Sequence, residues 1–166
     1  YKDLILFFCY RFLMKKILSI IILFLSTTTL SANDRDVELD KLFLELKKNI
    51  PSLSSGIAQQ IWMLWSTHPT DQKLTSILDE GSRLVQDQQL KRAIDVFTQA
   101  IELDPNWAEA WNKRATVFYM VGEFQKSQDD IDKVLELEER HFGALAGQGM
   151  VNIKLKNYDK AKRSYQ

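Results

Sequence analysis

Two histidines, one cysteine and a short acidic run are the residues whose types could carry bond-making chemistry in this chain. His68 lies in the stretch Ser66-Thr67-His68-Pro69-Thr70-Asp71, which reads as a loop. His141 stands far downstream, beside Glu138, Glu139 and Arg140. A metal centre needs several ligands at defined spacing, and neither histidine has them. His141 reads instead as a turn residue between helical segments. Asp129, Asp130 and Asp132 fall in a helical pattern, which turns them to different sides, whereas a calcium loop wraps its ligands round the ion. They read as a solvated face. Cys9 is the only cysteine. Downstream of it there is no thiol chemistry and no disulfide framework. No Gly-rich phosphate loop, nucleophile elbow or Cys–His pair is present. The expectation is a non-enzymatic protein with no catalytic residues, no cofactor and no metal.

Charge narrows the partner. The chain carries 22 basic and 22 acidic residues. Residues 33–166 hold 18 of the basic and 21 of the acidic ones, a net of −3. Binding nucleic acid requires a basic face to neutralise phosphates. Lys154, Lys156, Lys160, Lys162 and Arg163 do cluster, but on a helix pair such a cluster reads as a solvated face. No nucleic-acid partner is expected.

The beginning of the chain has a different character. Residues 1–13 precede Met14 and read as upstream translation rather than native protein. Met14 is followed by Lys15-Lys16, an apolar run from Ile17 to Leu25, and the small, polar stretch Ser26 to Ala32. A basic start, a short apolar run and a small-residue exit form a secretory signal peptide over residues 14–32, cleaved after Ser31 or Ala32. The run is well short of the roughly 20 apolar residues that span a bilayer. The membrane is therefore met only through this segment before cleavage, and the mature chain is expected in a bacterial periplasm.

Beyond the signal, periodicity predicts helices throughout. Leu39, Leu42, Phe43 and Leu46 share one helical face, with Asp36 as the candidate N-cap and Ile50-Pro51 as the stop. A second helix is expected over residues 54–66, with Ile57, Ile61, Leu64 and Trp65 on one face. Together they make an N-terminal helical hairpin, residues 33–71. Helices over 73–86 and 90–103 come after it, closed by Pro105.

A 34-residue echo then governs the rest. Gly81, Ala115 and Gly149 fall at successive steps of 34. So do Leu90, Phe124 and Tyr158; Ala93, Ser127 and Ala161; and Phe97, Ile131 and Tyr165. A period of this size implies a stacked array of helix pairs, because one pair cannot bury its apolar side alone. The small residues let paired helices approach closely, and the larger ones fill the gap toward the next unit.

These residues resemble the tetratricopeptide repeat. Gly81, Ala93, Phe97, Ala100 and Pro105 match its signature in a first unit; Trp111, Ala115, Phe118, Gly122 and Phe124 do so in a second; Gly149, Tyr158, Ala161 and Tyr165 do so in a third. Ile77 and Leu145 replace the opening Trp, Ser127 an Ala, Glu139 the closing Pro, and Asn152 an aromatic. The resemblance covers residues 74–166, in units of about 74–107, 108–141 and 142–166, the last one cut short. It implies an all-α, right-handed solenoid of helical hairpins. The stretches Trp111–Ala115 and Arg140–Gly149 are similar to exported proteins of this kind from proteobacteria, and that likeness implies no activity.

In this family the first helix of each unit lines a concave groove where peptides lie. The matching residues here are Leu78, Ser82 and Val85; Asn112, Thr116, Tyr119 and Met120; and Ala146, Met150 and Ile153. They are more apolar than an exposed face should be, which implies that something covers them. Two coverings stay open: a partner, or the chain itself through residues 36–66 or through a segment beyond Gln166. Some family members grip acidic C-termini with a clamp of Lys, Arg and Asn. Here Leu78, Ser82, Thr116, Ala146 and Met150 stand at those places, and only Asn112 remains of the clamp. The expected partner is a protein or peptide of apolar or mixed character. Self-association into a homo-oligomer, and a role as docking module for an enzyme domain beyond Gln166, are the alternatives. Trp62 and Trp65 are expected to dock the hairpin onto the first unit, Trp111 to be core, and Trp107 to be partly exposed.

Overall fold

The computed structural model describes residues 32–164; the leader, signal-peptide and cleavage readings, and the ring of Tyr165, lie outside them. The described residues form eight helices and no strand: α1 (Ala32–Lys47), α2 (Pro51–Ser66), α3 (Gln72–Gln86), α4 (Leu90–Leu103), α5 (Ala108–Met120), α6 (Phe124–Leu137), α7 (Phe142–Lys154) and α8 (Tyr158–Arg163). Each helix packs on the next within α3–α8, and α5 also touches α3 and α7. The first helices of the units thus line one side of the array.

Three cores correspond to three stretches of sequence. Leu39, Leu42, Ile61 and Trp65 hold α1 against α2. Leu74, Leu78, Leu84, Ala93, Phe97 and Trp107 belong to the core of the first unit. Ala115, Ile131, Val134, Ala144 and Val151 tie the second unit to the third. Trp111 is half-buried and packs on both of these last two cores. The need for small residues is visible at Gly81, where a Cβ would lie 2.7 Å from Cδ1 of Phe97.

Two helix starts differ from expectation. Asp36 lies inside α1, which begins at Ala32 and places Asp34 in its first turn, where a negative charge suits the helix dipole. α2 begins at Pro51, not at residue 54. Ile50 takes the extended backbone required before proline (φ −87°, ψ 108°), and Pro51, which has no N–H to leave unsatisfied, starts the helix.

A further 34-residue column emerges in the turns. Gln88, Gly122 and Lys156 all have positive φ, at 59°, 83° and 63°. Each is followed by a residue whose N–H donates five residues back: Gln89 to Leu84 O, Glu123 to Phe118 O and Asn157 to Asn152 O, at 2.8–2.9 Å. This bond, with the left-handed residue before it, closes the helix as a Schellman motif.

Candidate functional site

The side lined by α3, α5 and α7 divides into two halves. The half near the starts of α5 and α7 is covered by α2. Trp62 lies on Gly143, where a Cβ would stand 2.6 Å from its Cη2 atom, and packs edge-on to Phe142 with centroids 5.1 Å apart. Trp65 stacks on His141 at 4.0 Å and 14°. Trp107 donates its Nε1–H to Trp65 O at 2.8 Å. The hairpin therefore docks both on the first unit, through Trp107, and where the second and third units begin, at His141, Phe142 and Gly143. Trp107 is buried, not partly exposed, because its ring packs in the first core and its indole N–H is bound to the hairpin backbone.

Beneath this aromatic cover is a buried polar cluster. His141 and Glu109 have fully buried side chains, and His141 Nε2 is 3.0 Å from Glu109 Oε2. His141 Nδ1 accepts from Ala144 N and caps α7, which leaves Nε2–H as the donor to the carboxylate. Asn112 Nδ2 donates to the same Oε2 at 3.0 Å, and Lys113 Nζ is 3.3 Å from Oε1. His68 is bound likewise: Nε2 is 2.8 Å from Asp104 Oδ2, and Nδ1 accepts from Asp71 N. Each histidine thus spends its two nitrogens on the chain's own fold. Among the described residues no group of three or more metal-ligating side chains converges.

Salt links brace the outside of the hairpin. Arg140 reaches Asp40 at 2.6 Å and Glu138 at 2.8 Å, and its guanidinium lies 4.5 Å from the centroid of Phe43. Burial pushes the Glu138 carboxyl up, but side-chain and backbone bonds from Arg140 outweigh it and hold the group below its ordinary value. Arg140 is raised in turn by Glu138 and Asp40. Burial raises Asp130, and the paired Arg114, at 2.8 Å, offsets it only in part.

The other half is open and apolar. A cleft of about 80 Å³ between α5 and α7 is lined by Asn112, Thr116, Tyr119 and Met150, among others, with Ile131 also in its wall. Met150 in its wall is 45% exposed, and Met120 and Ile153, near the ends of α5 and α7, are 44% and 49% exposed. Thr116 and Ala146 are exposed, while Ser82, Val85 and Tyr119 are half-buried. Tyr119 leans on Phe124, with centroids 5.5 Å apart. Leu78 is a correction: at 1% exposed it belongs to the first core and offers nothing to a ligand. Asn112 shows a ligand only an edge, since it is 8% exposed and committed to Glu109.

Sequence reasoning missed Gly143 and Gly147, which also line the cleft. A Cβ on Gly147 would lie 3.3 Å from Ile131 Cδ1, so the missing side chain keeps the cleft open. Their spacing of four, which places them on one helix face, was the available signal.

Comparison with known proteins agrees with this geometry. The family model described as TPR repeat matches residues 81–122. A TPR repeat-containing protein of Rhizobium etli is 35% identical over 114 residues, which is 68% of this chain and 55% of that protein. The chain thus spans about half the length of that relative. Hsp70-Hsp90 organizing protein 3 of Arabidopsis thaliana is 26% identical over 88 residues, 53% of this chain and 16% of that protein. Among solved structures, the second TPR of Spaghetti bound to the HSP90 peptide SRMEEVD has a TM-score of 0.55 at 22% identity, covering 57% of this chain and 87% of that one. MamA has a TM-score of 0.54 at 18% identity, covering 81% and 76%. These structures share the fold. With its repeated helix pairs, its 34-residue columns and these likenesses, the chain belongs to the tetratricopeptide repeat proteins.

Proposed function

We propose that this chain is a non-enzymatic binding scaffold of the bacterial cell envelope, which holds a protein or peptide partner in the cleft between α5 and α7. One observation carries the reading: Met150 stays exposed in the wall of an apolar cleft, with Met120 and Ile153 exposed near the ends of the same two helices, after the chain's own hairpin has covered the neighbouring half. A large contiguous apolar patch is unusual on a monomer without a partner. Methionine also adapts its shape to what it touches.

The HSP90-peptide binders among the fold neighbours point to the same kind of ligand, a short segment of another chain. This chain differs at the places that grip a terminal carboxylate. Leu78 is buried, Asn112 is bonded to Glu109, and Ser82, Thr116, Ala146 and Met150 carry no cation. The partner engages by apolar contact.

The envelope location rests on the signal pattern in residues 14–32. N-terminal sequencing of the exported product should begin near Asn33; an intact N-terminus on a membrane-bound product would overturn that part. For binding, the chain and its Met150→Glu/Tyr119→Ala variant are used as baits in an envelope extract of the host. A partner retained by the first and lost with the second is expected. Equal capture by both would remove the cleft from the account.

A further inference from the structure

We infer that the segment held in this cleft carries acidic side chains beside its apolar anchor, and that Lys154, Lys156 and Arg163 receive them. The inference rests on the reading of the cleft as a binding surface. Met150, in the cleft wall, and Lys154 lie four residues apart on one face of α7, so the wall is followed by a cation. Lys156 comes next, in the left-handed turn that closes α7. Lys156, Lys160 and Arg163, with Tyr158, Asn157 and Asp159, line a hollow at the start of α8. Apolar cleft and cationic hollow thus flank the end of one helix.

Among the described residues, exposed cations without an ion pair also occur at Lys47, Lys73, Arg83, Lys91 and Arg92; what sets the present group apart is that five cations crowd into residues 154–163. Lys41, Lys48, Lys113, Lys126 and Lys133 each meet a carboxylate three or four residues away. Lys160 reaches Asp132 at 3.3 Å. Lys154, Lys156, Lys162 and Arg163 are exposed and make no ion pair among the described residues. Asp159 is the one acid lining the hollow. A chain whose residues 33–166 carry a net −3 has therefore gathered unpaired positive charge next to its exposed apolar residues. Such a field steers an acidic ligand and fixes its direction across an apolar contact. Side-chain carboxylates suit it better than a chain terminus, because the terminus-gripping positions are uncharged.

The test is selection of a random dodecapeptide phage library on the full chain, followed by titration of the enriched peptides as synthetic C-terminal amides. Enriched sequences should pair an aliphatic or aromatic residue with two or more Asp or Glu. Replacing those acids by Asn and Gln, or the protein's cations in Lys154→Gln/Lys156→Gln, should each weaken binding by about tenfold, with loss of its salt dependence. Because both lysines are exposed, the thermal midpoint should not move. Apolar peptides without acids, lost with Met150→Glu but indifferent to the lysine variant, would overturn the acidic ligand and keep the cleft. No enrichment, or peptides indifferent to both variants, would overturn both. A single-stranded oligonucleotide that displaces the peptides and binds Met150→Glu unchanged would overturn both as well.

Discussion

The two halves of the concave face are built from the same helices and treated in opposite ways. Near the starts of α5 and α7, charged and polar groups are buried: Glu109, His141 and Asn112 lie under Trp62 and Trp65. Toward the ends of those helices, apolar groups are exposed: Met120, Met150 and Ile153. Each half inverts the usual preference. In the first, the inversion is resolved largely within the chain, because His141 and Asn112 both bond Glu109 Oε2; Glu109 Oε1 and the Trp65 indole N–H have no hydrogen-bond partner among the described residues. In the second nothing in the described chain resolves it, and an outside partner would. The hairpin thus serves as a lid for one half and sets the limit of the other.

Breaking the covered half should have the largest effect. Trp65 is 2% exposed, and its ring lies against His141. Trp65→Ala should cost about 3–5 kcal/mol, the range for truncating a buried aromatic. Hydrogen exchange should then show α1, α2 and the start of α7 opening while α3 and α4 stay protected. Next comes Glu109→Ala, which strands His141, Asn112 and Lys113 at once. Leaving buried donors unpaired predicts a loss of about 1–3 kcal/mol in urea titration.

Acid should loosen the same half by a smaller amount. Glu138 is held below its ordinary value of 4.5, so its contribution is fully present above that pH. It fades as pH falls through the depressed value. Hydrogen exchange in α1 should rise on acidification below 4.5, and Glu138→Gln should remove this component of the response.

The open half should tolerate change. Met120→Ser/Met150→Ser should alter stability by about 0.5 kcal/mol or less, because these side chains are not holding the core. A comparable cost to Trp65→Ala would mean that the halves do not differ as argued. Comparable in size to the methionine change is Gln88→Gly. It relieves a left-handed backbone but adds the chain entropy of glycine, for a net gain of about 0.5 kcal/mol. Gly122→Ala should move the opposite way.

What the sequence revealed depended on how local the cause was. The helix pairs were legible because their periodicity and small-residue columns repeat at one spacing. The column of left-handed turns was hidden, since only Gly122 of the three is glycine, and Gln88 and Lys156 give no chemical sign of φ. The docking place of Trp62 could not be read, because it depends on the missing side chain of Gly143 across the fold. Trp107 was misplaced for a similar reason: its linker position implies exposure, but its ring joins the first core, lies edge-on to His68 and bonds the distant Trp65 carbonyl. Of the groove residues placed from the repeat register, Asn112, Thr116, Tyr119 and Met150 line the cleft. Leu78 does not, because the first core claims that side of α3.

The division into halves can be read directly from three methyl groups. Beyond Met14 the methionines are Met63, Met120 and Met150. Met63 is 60% exposed on the hairpin, Met150 lines the cleft, and Met120 ends α5 next to Tyr119 of the cleft wall. With methyl-labelled methionine, a bound partner or enriched peptide should shift Met120 and Met150 and leave Met63 in place. A shift confined to Met63, or none at all on binding, would contradict the central claim that the open half of the concave face is where this chain holds its partner.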